Sequence, residues 1–400
     1  MINLPDNVNL ILKRLESAGF AAYCVGGCVR DSLMGKEPLD WDICTSAEPQ
    51  ETTKVFEGFK TVNKNGLKHG TVTVILESKP YEITTFRTDG EYLDNRRPEN
   101  VTFVKSIEGD LARRDFTINA MAFSPKRGFT DLFGGSKDIK NGIIKCVGDA
   151  EKRFHEDALR IMRALRFASV LGFEIESKTA NAAILCRGLL KNISAERICA
   201  EFLKLMEGKA AEKILKAYPE IFAEILPQPF IGDYFLAATE AGRQTSLKNR
   251  AAVFLHLLYE CPEGVKNAAK KLKMSRETTN FLINVSRNFN LKLPTDLVAM
   301  RHLVKTLGTE TLDDIAGIKG DASAAALLDE IKSKKLCCSL KELKISGGEL
   351  KKLGIKQGKA VGIALERLLN DVIDEKVENN KSSLTEYTVK LKETGEITND

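Results

Sequence analysis

The alternation of apolar and polar positions divides the chain near residue 148. Before it, short apolar and β-branched runs at 22–25, 40–44, 70–76 and 81–86 are broken by Gly, Pro and Asn, and predict the strands of a small sheet. The opening stretch MINLPDNVNLILKRLESAGF carries charges inside its apolar run, which predicts an amphipathic helix and not a signal peptide. After Gly148 the apolar positions recur with helical spacing over 151–171, 180–190 and 194–206, and strand signals fade. Residues 227–232 (PQPFIG) and 293–295 predict connections between helices. Near Lys332 the text becomes Lys-rich and punctuated by Gly, with nine lysines between Ile331 and Gly362 against only Glu342 and Glu349. An α/β part followed by an all-α part is the expected architecture.

Chemistry concentrates in YCVGGCVRDSLMGKEPLDWD, residues 23–42. Gly26 and Gly27 end an apolar run just before a helix, where backbone N–H groups can approach an anion without Cβ obstruction. Asp40 and Asp42 are spaced i, i+2, which puts both carboxylates on one face of an extended strand. Two adjacent carboxylates repel unless a cation lies between them, and an all-oxygen donor set favours a hard ion such as Mg²⁺. A phosphate cradle beside a metal-binding acid pair points to nucleotidyl transfer.

The order Gly-Gly-x-Val-Arg-Asp followed by Asp-x-Asp resembles the head of the bacterial tRNA nucleotidyltransferase/poly(A) polymerase family. That resemblance implies a polymerase-beta-like nucleotidyltransferase fold in the head, followed by helical neck, body and tail. The breaks then divide into a catalytic head at 1–148, a base-recognising neck at 149–208, a body at 209–330 and a tRNA-binding tail at 331–400. Asp40 and Asp42 are the expected metal ligands and catalytic pair, with Glu82 a third carboxylate nearby. Gly27 and Arg30, with Gly26, are the expected triphosphate grip, and Asp31 an internal partner for Arg30. LARRDFTINAMA, residues 111–122, matches the family's second motif and gives Arg114 as a nucleotide contact, with Phe116, Ile118 and Met121 as core.

Asp157 and Arg160 stand three apart on the expected helix and so share a face. Cytosine and adenine both present an amine donor beside a ring-nitrogen acceptor, whereas uracil and guanine present a carbonyl beside a ring N–H. An acceptor-only carboxylate next to a donor-only guanidinium therefore complements C and A. Arg163 and Arg166 continue the spacing and match the same motif, although a straight helix carries Arg166 nearly opposite Asp157. The polar segment TFRTDGEYLDNRRPENVTF, residues 85–103, resembles the loop that the family links to the switch from CTP to ATP.

Composition narrows the partners. Sixty Lys and Arg against 55 Asp and Glu exclude a polybasic chain, so contact with tRNA must come from local patches such as the lysine-rich tail. Nine cysteines include no C-x-x-C pair and predict free thiols in a reducing cytoplasm. No stretch is long and apolar enough to predict a membrane span. The expected activity is template-free addition of C, C and A to the tRNA 3′ end from CTP and ATP, releasing pyrophosphate. Poly(A) polymerase, partial CC or A addition, and a non-catalytic RNA-binding protein are the alternatives, the last opposed by the intact Asp40 and Asp42.

Overall fold

A computed structural model describes residues 2–62, 70–90 and 101–397. Helix α1 (Asp6–Ser17) buries Val8, Ile11, Leu12 and Leu15, the i, i+3, i+4, i+7 stripe of an amphipathic helix. There follow β1 (Ala22–Val25), α2 (Gly27–Leu33), β2 (Ile43–Thr45), α3 (Pro49–Val55), β3 (Lys60–Val62), β4 (Thr71–Leu76) and β5 (Lys79–Thr85). Next come β6 (Arg87–Asp89), β7 (Val101–Phe103), α4 (Ile107–Ala112), β8 (Met121–Ser124), β9 (Gly128–Asp131) and α5 (Gly135–Asn141). Seven strands form one sheet in the order β3-β4-β5-β2-β1-β8-β9. All neighbours are antiparallel except β2 and β5, which run parallel with Ile43 opposite Ile83.

Both faces of this sheet are covered. Ala22, Cys24 and Ile43 pack with the buried stripe of α1, while Tyr23, Val25 and Cys44 pack on the other face with Phe86, Ile107 and Leu111. A strand buried on both sides reads as a continuous apolar run, which is why residues 22–25 carry no alternation.

Two strand boundaries differ from expectation. The strand expected at 40–44 begins at Ile43, because β1 leaves the ladder at Gly26 (φ 77°), so no neighbour extends pairing past the Val25 N–H to Asp42 carbonyl bond of 3.0 Å. Asp40 and Asp42 therefore sit at the mouth of the sheet, ahead of the strand. The strand expected from residue 81 starts at Lys79, since Glu77 and Ser78 both have positive φ in a two-residue hairpin turn that lacks the usual Asn-Gly signature. Between 85 and 103, β6 and β7 pair antiparallel; residues 91–100 of that segment, and His69, lie outside the described residues.

The chain forms two compact units, residues 1–243 with 267–276, and residues 244–266 with 277–400. The expected domain bounds at 148, 208 and 330 fall inside these units. In the first, the sheet is followed by α6 (Ala150–Glu156), α7 (Leu159–Leu171), α8 (Ser177–Leu185) and α9 (Ala195–Met206). The second is helical, and its residues 300–331 and 337–397 form apolar clusters. Within it, buried Arg301 donates to the carbonyls of Cys337, Val372 and Ile373 at 3.0–3.1 Å, satisfying the C-terminal carbonyls of the helix Lys359–Ile373. Among the described residues no helix is long and apolar enough to cross a membrane.

The segment after α9 approaches α7 so closely that Gly208 has no room for a side chain. Ser169 Oγ donates to the Leu205 carbonyl at 2.7 Å, and the Ala210 N–H donates to the Ser169 carbonyl at 3.0 Å. A Cβ at Gly208 meets Ser169 Oγ and lies 2.5 Å from its carbonyl carbon. Gly208→Ala is expected to destabilise the chain by about 1–3 kcal/mol, read as a lower midpoint in urea unfolding. An unchanged midpoint would mean that α7 and the residues after α9 separate without cost.

Candidate active site

Of the residues that the sequence assigned to a site, Gly27, Arg30, Asp40, Asp42, Arg114, Asp157, Arg160, Arg163 and Arg166 line one cavity of about 660 Å³, whereas Glu82 does not. Gly26, Arg113, Asp115, Asn119, Leu159, Phe167 and Arg197 complete its wall. Gly26 turns β1 into α2 with a positive φ, and a Cβ there would stand 2.8 Å from Arg114 Nη1. Only glycine fits both the backbone and the guanidinium.

Asp40 and Asp42 open onto the cavity. The protein packed around Asp42 pushes its carboxyl above the ordinary carboxylate range; Arg114 opposes this, and the like charge of Asp40 adds to it. Two neighbouring carboxyls that offer only oxygen donors fit a hard divalent cation. Among the described residues no group of three or more His, Cys, Asp or Glu assembles for a metal.

Seven arginines and four aspartates line the cavity, an excess of positive charge suited to a polyanion. Each arginine is held by an acid. Asp110, fully buried in α4, takes Arg113 Nη2 at 2.8 Å and Arg114 Nη2 at 3.0 Å. Burial alone would raise the Asp110 carboxyl, but the two guanidiniums hold it below its ordinary value. Arg30 donates to Asp31 and to Asn119 Oδ1, both at 2.8 Å. Asn119 also donates to Asp115 Oδ1 at 3.2 Å. Asp115 Oδ2 accepts from Arg163 Nε at 2.7 Å, and Arg166 Nε lies 3.0 Å from Glu201 Oε2. Arg166, Arg30 and Arg163 lie 4.1, 5.2 and 5.3 Å from the ring centroid of Phe167, which shares their positive charge across one aromatic side chain.

The helix expected over 151–171 breaks. Asp157 adopts an extended conformation (φ −140°, ψ 102°), ending α6, and its Oδ1 accepts the Leu159 N–H at 3.1 Å at the start of α7. The expected face shared by Asp157 and Arg160 is replaced by separate tethers. Asp157 Oδ2 takes Arg197 Nη2 of α9 at 3.0 Å, while Arg160 donates to Glu156 at 2.7 Å and to the carbonyls of Arg153 and Arg113. The break also removes the angular argument that placed Arg166 opposite Asp157, and both face the one cavity.

Arg113 and Asp115 lay inside the matched motif without being singled out. Asp110 and Glu156 stand three or four positions from the arginines they hold, a local spacing that could have found them, whereas Glu201 and Arg197 act on residues distant in the sequence. Arg197 is 40 positions from its partner, and no local spacing announces such a pair.

Burial would raise the Asp115 carboxyl, but Arg163 first, then Arg160 and Asn119, hold it down at about 2. A depressed acid stabilises the fold above its unfolded value near 4, and that contribution is lost as pH falls through the folded value. Asp115→Asn is expected to lower the unfolding free energy at pH 7 by about 2 kcal/mol, with the gap narrowing as pH approaches 3. Urea unfolding across this range checks it; a gap independent of pH would show that the loss is one of packing.

A family model described as the poly(A) polymerase head domain matches residues 22–145, and one for tRNA nucleotidyltransferase domain 2 matches 244–388. The CCA-adding enzyme of Streptococcus thermophilus is 38% identical over 397 residues, covering 96% of each chain. That of Lactobacillus helveticus is 39% identical over 388 residues, covering 94% of this chain and 95% of the relative. Among solved structures, the Bacillus stearothermophilus CCA-adding enzyme in complex with CTP aligns with a TM-score of 0.81 at 31% identity over 97% of each chain. The Thermotoga maritima CCA-adding enzyme complexed with tRNA has the same fold, with a TM-score of 0.69 at 24% identity over 96% of this chain and 94% of that one. With relatives this similar along nearly its whole length, and the head-domain match falling on the strands and helices that build the cavity, the chain belongs to the family of CCA-adding tRNA nucleotidyltransferases.

Proposed function

We propose that this chain adds C, C and A in turn to the 3′ end of tRNA from CTP and ATP, with Asp40 and Asp42 as its catalytic pair. The observation that carries the site assignment is that one arginine-rich cavity is lined by both carboxylates and by Asp157 and Arg160. The triphosphate lies against Gly27, Arg30 and Arg114, whose donors match phosphate oxygens. The tRNA 3′-oxygen attacks the α-phosphorus; the new O–P bond forms as the bond to the β-phosphate bridging oxygen breaks, and pyrophosphate leaves. The hydroxyl proton is released to bulk water as the oxygen attacks beside the acid pair. Mg²⁺, which Asp40 and Asp42 would hold, supplies phosphate neutralisation and a more acidic hydroxyl when bound. Nucleotidyl transfer of this kind needs positioning and charge stabilisation more than a covalent nucleophile.

Base choice falls to Asp157 and Arg160. Two contacts occupy Asp157, and a carboxylate offers about four lone-pair sites, so acceptor capacity for the amine of C or A remains. Arg163 and Arg166 line the neighbouring wall and hold charge near the nucleotide. The head (1–148) and neck (149–208) supply the chemistry and the base template. Body (209–330) and tail (331–400) supply the tRNA surface, where lysines such as Lys351 and Lys352 are exposed. All nine cysteines are free, which suits a cytoplasmic enzyme. Sequencing of products formed from tRNA lacking its CCA end, with CTP, ATP and Mg²⁺, tests the activity: a CCA terminus supports it, a poly(A) or CC terminus replaces it.

Asp40→Ala and Asp42→Ala are each expected to abolish addition while tRNA binding persists. Substantial turnover by either folded variant would remove the two-carboxylate assignment. Asp157→Ala is expected to keep triphosphate affinity but lose preference for CTP and ATP over UTP and GTP, by about tenfold or more for one hydrogen bond to a charged group. Competition among all four triphosphates measures it, and unaltered selectivity in an active variant would assign base choice elsewhere.

A further inference from the structure

Phe167 carries no charge and no hydrogen-bonding group, yet it lines the cavity amid arginines of two elements. Arg30 comes from α2, Arg163 and Arg166 from α7, and all three guanidiniums lie within 5.3 Å of its ring centroid. The ring is buried, and fully buried Phe116 of the 111–122 segment braces it edge-on, with centroids 5.8 Å apart and an interplanar angle of 81°.

The acids alone leave these arginines unevenly held. Burial pushes the Arg166 guanidinium below its ordinary value; Glu201 opposes this, and the like charges of Arg163 and Arg30 push it down again. Glu201 reaches both α7 arginines, Arg166 at 3.0 Å and Arg163 at 4.0 Å, but Arg30 is tied to Asp31 on its own helix. A polar chain through Asn119 and Asp115 links Arg30 to Arg163 and stops there. Phe167 is the side chain that gathers all three. The face of an aromatic ring attracts cations, the more so when the contact is withdrawn from water. An aliphatic side chain of similar size would fill the same space and leave the repulsion uncompensated.

We propose that Phe167 is a positioning residue for the triphosphate, its ring holding the guanidiniums of α2 and α7 close enough to grip one nucleotide together. It acts through the arginines and serves CTP and ATP alike. A hydrocarbon ring offers a base no lone pair to read, so base choice stays with Asp157 and Arg160. The proposal rests on the reading that this cavity takes the nucleoside triphosphate.

Fluorination separates charge from packing. Replacing Phe167 in the full chain by mono-, di- and trifluorinated phenylalanine keeps the shape of the ring while draining its negative face. CTP affinity by equilibrium dialysis should fall stepwise along this series, by about tenfold at the trifluorinated ring. Phe167→Leu should lose a similar factor for CTP and for ATP, while competition assays show its preference for both over UTP and GTP intact. The fluorinated series needs no change of packing, so it decides the matter even where Phe167→Leu fails to fold. Affinity that stays level along the series, or a loss confined to one of the two nucleotides, would overturn the assignment and make Phe167 a packing residue. Failure of the unsubstituted chain to bind CTP at all would instead overturn the reading of the cavity, so the two failures are distinguishable.

Discussion

Seven guanidiniums crowded around one cavity repel one another, and the arrangement exists because an acid stands behind each of them. Asp110 carries Arg113 and Arg114, Asp115 carries Arg163, Glu201 carries Arg166, Glu156 carries Arg160, Asp31 carries Arg30 and Asp157 carries Arg197. Pairs so largely withdrawn from water add little net stability, since desolvation offsets most of the attraction. What they fix is direction. A long side chain that would otherwise sample many rotamers is tied at one end of its guanidinium, leaving the other edge for the ligand.

The fold brings these tethers together from distant parts of the chain. The β1–α2 turn presents Gly26 and Arg30, the mouth of β2 presents Asp40 and Asp42, and the residues after α4 present Arg113, Arg114 and Asp115. Helices α7 and α9 close the wall with Arg160, Arg163, Arg166 and Arg197. A sheet packed on both faces gives the first three groups a rigid base. The tight approach at Gly208 sets how near α9 comes to α7, and hence where Arg197 meets Asp157.

Much of this was legible in the residues because the functional signals are local. Paired glycines before a helix, two acids at i, i+2, and arginines at three-residue spacing can all be read within one element. The strand boundaries at Ile43 and Lys79 were not, since one depends on where a neighbour leaves the ladder and the other on an atypical turn. The break at Asp157 also escaped, because periodicity on both sides of it is helical and Asp157-Ala158 contains neither Gly nor Pro. Glu201 looks like any charged helix residue until tertiary packing sets it against Arg166, whereas Asp110 stands three and four positions before Arg113 and Arg114 and only its complete burial was hidden.

The tether between Asp157 and Arg197 joins the end of α6 to a helix of the following segment. A nucleic-acid template keeps its code in covalent bases, whereas a protein template keeps it in packing. Under the base-reading role proposed for Asp157, losing this one contact would free the reader while the sheet beneath Asp40 and Asp42 stays packed, so that accuracy and turnover would be held by different parts of the structure.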